Sequence, residues 1–124
     1  IVAINSRTKG ANFEREIANY LSEKTGLKAR RGLAQTRGGG AEVGDVDIPY
    51  LQLELKRHKR CNIKAALRQA VNDCKEKERI PVAVTKDDRG PILVTMLIGD
   101  WVEMFSTFAQ QRLKDDGKTT SHKL

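Results

Sequence analysis

Apolar residues recur along the chain with two different periods. Phe13, Ile17, Tyr20 and Leu21 fall at i, i+4, i+7 and i+8, which predicts a helix from Gly10 to Thr25, stopped by Gly26. Residues 27–33 read as a basic strand, and 35–41, with three consecutive glycines, as a loop. Two short strands follow, Asp45 to Ile48 and Leu51 to Arg57, with Pro49 and Tyr50 turning between them. In the second, Leu51, Leu53 and Leu55 take one face, while Gln52, Glu54, Lys56 and His58 take the other.

Asn62 is placed as an N-cap for a second helix, whose stripe is Ile63, Ala66, Leu67, Ala70, Val71 and Cys74. Residues 81–85 and 91–98 read as strands joined by a polar turn at 86–90. A last helix is expected from near Asp100. Its Trp101, Met104 and Phe105 have core spacing, though a dimer interface uses the same pattern. Residues 1–113 are read as one domain and 114–124 as a flexible polar tail. The element order αβββαββα predicts an α/β layered fold with a mixed sheet.

The length, 124 residues, suits one core and not two ordinary domains. With 23 Lys+Arg against 16 Asp+Glu the net charge is +7, a field that favours a polyanion such as nucleic acid. Aromatics make up only 5%, too few for a base-stacking platform, so backbone and shape are the expected objects of recognition. Cys61 and Cys74 form no CxxC pattern, and neither a zinc site nor a disulfide is expected of them. No apolar run approaches the ~18 residues a membrane span needs. No signal segment is read at the N-terminus, so a cytoplasmic protein, in the neighbourhood of the nucleoid, is expected.

Candidate chemistry sits at Gly44-Asp45-Val46-Asp47 and Glu54-Leu55-Lys56. Residues two apart on a strand point the same way, so Glu54 and Lys56 project together, with Asp45 one hairpin upstream. Asp47, on the same strand face as Asp45, is its rival. Two carboxylates and the Leu55 carbonyl are hard oxygen donors suited to Mg²⁺, for which Mn²⁺ can substitute, and Lys56 can assist an attacking water. Arg7, Lys9, Arg30, Arg31, Arg37, Arg57, Lys59 and Arg60 are candidate phosphate contacts that would position DNA without reading its sequence. Gln69 borders its helix stripe, either solvated or with its amide turned toward the site. His58 is open to the same two readings.

Residues 6–14 (a basic stretch and glycine before a helix bearing Glu14), 30–45 (Arg30-Arg31-Gly32 through the glycine loop to Asp45) and Leu53-Glu54-Leu55-Lys56-Arg57 together resemble the PD-(D/E)xK nuclease superfamily. Within it they are most similar to archaeal and phage Holliday junction resolvases. The similarity continues through Gln69-Ala70 and residues 81–84. It implies a restriction-endonuclease-like αβββαβ core, a metal-dependent endonuclease acting on four-way DNA junctions, and a homodimer. It favours Asp45 over Asp47 and implies Glu14 as a further metal ligand. Gly44 stands where the motif is usually written with proline, a difference expected to matter little for ligation.

Overall fold

The structure, a computed structural model, describes residues 6–32 and 44–117. The order is α1 (Ser6–Thr25), β1 (Arg30–Arg31), β2 (Val46–Ile48), β3 (Leu51–His58), α2 (Ile63–Asp73), β4 (Ile80–Asp87), β5 (Ile92–Thr95) and α3 (Ile98–Gly117). The expected αβββαββα order is found, as an α/β fold with one mixed five-stranded sheet in the order β1-β2-β3-β4-β5. Neighbours pair antiparallel except β3 and β4, which are parallel. A parallel pair cannot be closed by a tight turn, and α2 supplies the crossover.

Leucine alternation decides how the layers stack. Leu53 and Leu55 join Val46, Ile48, Val82 and Val84 on one sheet face, under Phe13, Ile17 and Ala18 of α1. On the other face lie Gln52, Glu54, Ala83 and Thr85, where buried Ala66 and Ala70 let α2 approach closely. Asn62 caps α2 as expected, its side chain accepting from the Ala65 N–H at 3.0 Å. Cys74 is the C-cap of α2 and not part of its face, its N–H donating to Ala70 O and Val71 O.

Several boundaries differ from the sequence reading. α1 begins at Ser6, so Arg7 and Lys9 lie in its first turn and not before it. Gly10 costs a helix only ~1 kcal/mol, too little to end it amid good helix formers. Gly26 does end it, with φ +74 and its N–H donating to Ser22 O. β1 is reduced to two residues, and residues 33–43, which include Arg37 and the glycine loop, lie outside the described residues. β5 stops at Thr95 because Met96 turns in against the core and Leu97 O already accepts from Trp101 N–H. α3 runs to Gly117, four residues into the expected tail. Trp101, Met104 and Phe105, expected in the core, are about half exposed, and α3 buries no residue at all.

A residue that periodicity passes over fixes the hairpin that presents the candidate site. Arg79 Nη1 donates to Ile48 O at 2.7 Å and Leu51 O at 2.8 Å, while its Nε reaches Glu76 at 3.2 Å. Ile80 N–H donates to Tyr50 O beside them. These bonds hold the turn at Pro49-Tyr50, where Tyr50 takes φ 74, and so set the register of β2 on β3.

Candidate active site

β2 pairs with β3 at Ile48↔Leu51 and Asp47↔Gln52, and Asp45, just before β2, runs on beside Leu53 and Leu55 through bonds of its own. Asp45 is pinned from three directions. Its N–H donates to Leu53 O (3.0 Å), its carbonyl accepts from Gly32 N–H (2.9 Å), and its Oδ2 accepts from Leu55 N–H (2.8 Å). In an extended strand the Leu55 carbonyl leaves on the same side as its N–H, toward Asp45.

Gly44 makes this approach possible. A Cβ there would collide with the Leu53 carbonyl oxygen and stand 2.9 Å from the Leu53 nitrogen. The residue before the aspartate therefore matters for packing, a point separate from ligation. Gly44→Ala should push this segment off β3, costing ~1–3 kcal/mol by overpacking. Cleavage should fall with it, since Asp45 moves. Denaturation midpoints and cleavage rates that both stay at the parent values would refute the steric account.

Glu54 is 5% exposed, and its Oε2 lies 3.2 Å from Lys56 Nζ. Asp45 and Glu54 are close neighbours, near enough for their side chains to act on each other. Burial, then the charge of Asp45, pushes Glu54 up to about 7 against the pull of Lys56. Burial also raises Asp45, offset by the Leu55 N–H and reinforced by the charge of Glu14. Two carboxylates that cannot both ionise comfortably mark a place short of positive charge. A divalent cation fits that deficit, and Asp45, Glu54 and the Leu55 carbonyl are oxygen donors of the right kind.

The other candidates divide. Glu14 is near enough to act on Asp45, yet its Oε1 accepts from Arg31 Nε at 3.0 Å. Among the described residues no group of three or more His, Cys, Asp or Glu side chains is gathered to hold a metal ion. Gln69 shares a cavity of about 260 Å³ with Lys56, His58, Asn62, Ala65 and Ala66. Asp47, opposite Gln52, lines a cleft with Lys28, Arg30, Pro49 and Arg79. Asp73 was not picked out from the sequence; four residues after Gln69 on the same helix, it adds a small upward push to Glu54.

Among the described residues the basic candidates fall into two groups, one toward each end of β3. Arg30 pairs across from Asp47 and Gln52, at the start of β3, and Arg31 is engaged by Glu14. Arg57, Lys59 and Arg60 lie at the opposite end of β3. There Lys59 and Arg60 line a cavity of about 930 Å³ with Asp88 and Arg89 from the β4–β5 turn. Asp88 also draws in Lys9 (3.1 Å) and Arg57 (4.0 Å). Arg7 is exposed on α1. Arg89 and the counter-charge Asp88 were missed because the sequence shows their segment only as a polar turn.

A mixed sheet between helices, with an aspartate meeting the glutamate and lysine of an ExK motif on its central strand, defines the PD-(D/E)xK nuclease class. The chain belongs to the family described as "Phage putative PDDEXK endonuclease", whose model matches residues 5–118. No curated protein and no solved structure matches the chain. It is a nuclease by family, and no described helix is long and apolar enough to cross a membrane.

Proposed function

We propose that the protein is a Mg²⁺-dependent DNA endonuclease that hydrolyses phosphodiester bonds in branched DNA such as four-way junctions. Mn²⁺ substitutes for Mg²⁺, and the enzyme works as a homodimer within a bacterial, archaeal or phage-infected cell. The observation that carries the reading is the meeting of Asp45, Glu54 and Lys56, two carboxylates and an ammonium side by side on the central strand and the segment before β2. Asp45, Glu54 and the Leu55 carbonyl would hold the ion, and Glu14 would be a further ligand if released from Arg31. When bound, the ion supplies a Lewis acid that acidifies water and neutralises charge on the phosphate.

The rest of the chemistry belongs to the chain. Lys56, 3.2 Å from Glu54, donates to the attacking water or to a non-bridging phosphate oxygen and holds it in line. Water adds to phosphorus and gives up a proton to solvent, the bond to the leaving oxygen breaks, and that oxygen takes up a proton from solvent. Gln69, sharing the Lys56 cavity, orients water or phosphate. The basic groups at the two ends of β3 hold the backbone on either side, with Arg7 and Arg37 adding to them. Dimerisation is supported by the task, since cutting two opposed strands calls for two sites related by a two-fold axis.

The deciding experiment offers the purified protein four-way junction, duplex and flap DNA, with Mg²⁺ and then with EDTA. Paired, symmetric nicks in the junction with Mg²⁺ alone are expected. Preference for duplex or flap ends would replace the junction with a restriction or end-processing role. Binding without cutting under every metal tried would reduce the protein to a DNA-binding module.

A further inference from the structure

α3 makes no extended packing contact with any other element among the described residues, and it buries none of its own. Its apolar positions nevertheless form a wide stripe. Ile98, Trp101, Val102, Phe105 and Phe108 follow at i, i+3, i+4, i+7 and i+10. Trp101 and Phe105 stack with centroids 5.2 Å apart and rings parallel. A helix of this pattern is built to lie on something.

Each protomer also carries an uncovered surface of the same kind. β5 is an edge strand, and its Ile92, Leu93 and Val94 are exposed. Val94 pairs with Val84, so it faces the same side as the core under α1, but α1 reaches only β1, β2 and β3 to any extent. At roughly half exposure, the large apolar side chains of β5 and α3 present on the order of 1,000 Å² of apolar surface. Taken together, these surfaces are on the scale of the ~800 Å² that a stable interface takes from each partner.

We infer that α3 is an exchanged arm: in a two-fold dimer, the apolar stripe of α3 from each copy lies over the exposed β5 face of the other. Charge favours a second copy as the occupant. α3 holds Asp100, Glu103, Asp115 and Asp116 against Arg112 and Lys114, a net −2, in a chain of net +7. The remainder is therefore +9, and an acidic arm is drawn to the basic body of a neighbour. The same −2 argues against an anionic membrane or nucleic acid as the object that α3 covers. Twenty residues of helix extend ~30 Å, enough to cross a small domain. One isologous operation covers both arms and both strands, and no open surface is left to propagate.

This inference deepens the homodimer within the proposed function, but its test weighs mass and not cleavage, so the two can fail separately. Sedimentation equilibrium of the full chain should give twice 13.9 kDa. Trp101→Glu combined with Phe105→Glu, and separately Val94→Lys, should each raise the dimer dissociation constant at least ~10-fold, about 1.4 kcal/mol. Because these side chains are exposed, circular dichroism should show both variants folded. Mixing the two should regenerate a dimer, as an intact helix from one then meets an intact strand from the other. A wild-type monomer, aggregates without a fixed mass, or sedimentation of monomer with anionic vesicles would overturn the inference. So would a dimer indifferent to Val94→Lys, or a mixture that stays monomeric. If the monomeric variants still nick DNA with Mg²⁺, the nuclease reading stands whatever becomes of the arm.

Discussion

Glu54→Gln and Asp45→Asn should each lower Mg²⁺-supported cleavage ~10³-fold, the scale on which a preorganised charge contact is lost from a transition state. Both replacements keep the shape. In Asp45→Asn the amide oxygen can still accept the Leu55 N–H, and the β3 backbone is not asked to move. What disappears is the anionic oxygen that holds the ion. DNA affinity measured in EDTA should stay at the parent level or rise slightly, because removing a negative charge lowers repulsion of phosphate. Lys56→Ala should lose ~10²-fold by the same assay, in keeping with a group that orients or protonates and does not ligate. Asp47→Asn is the internal control and should stay within a few-fold of the parent, since Asp47 sits in the Lys28–Arg30–Arg79 cleft. Single-turnover rates on a labelled junction make the comparison. Full activity in Glu54→Gln would remove the catalytic role of this site, and a large loss in Asp47→Asn would move the metal to the other aspartate.

Much of the arrangement was legible because each signal had one reading. Leucines alternating through residues 51–55 leave Glu54 and Lys56 no choice but a common face. Asn62 before an amphipathic run has one structural use, and the structure has it capping α2. α3 shows where such legibility ends. Helical spacing records that a face is apolar, and says nothing about whether its cover comes from the same chain. Trp101 and Phe105 would have the same spacing in a core and on an exchanged arm. Gly44 and Arg79 were hidden for a different reason. Their importance lies in backbone contacts with Leu53, Ile48 and Leu51, which no side-chain pattern encodes. The basic residues, read from the sequence as one set of phosphate contacts, are divided between the two ends of β3 because the Arg30 and Arg57 positions are separated along the strand.

Metal-free protein should become less stable as pH rises from about 4.5 to about 7. Glu54 is raised from 4.5 to about 7 in the folded chain by burial first and by Asp45 second. Between those values the native state holds a proton that the unfolded state has released, so unfolding gains from every increase in pH. The direction is opposite to that of a salt-bridged carboxylate such as Asp88, whose value is lowered by Lys9 and whose contribution is lost only below its ordinary 3.8. The two windows therefore do not overlap. The interval for Glu54 corresponds to about 3 kcal/mol, on the order of 10 °C in Tm for a domain of this size. The upward displacement of Asp45 acts in the same direction. Thermal melts in EDTA between pH 4.5 and 8 should show the decline, and Glu54→Gln should flatten it and melt higher than the parent at pH 8. Adding Mg²⁺ at pH 8 should recover stability in the parent and not in the variant, because a ligand stabilises only the state that binds it. A decline of equal slope in Glu54→Gln would show that the pH dependence arises elsewhere, and that the carboxylate pair lacks the charge deficit on which metal binding is argued.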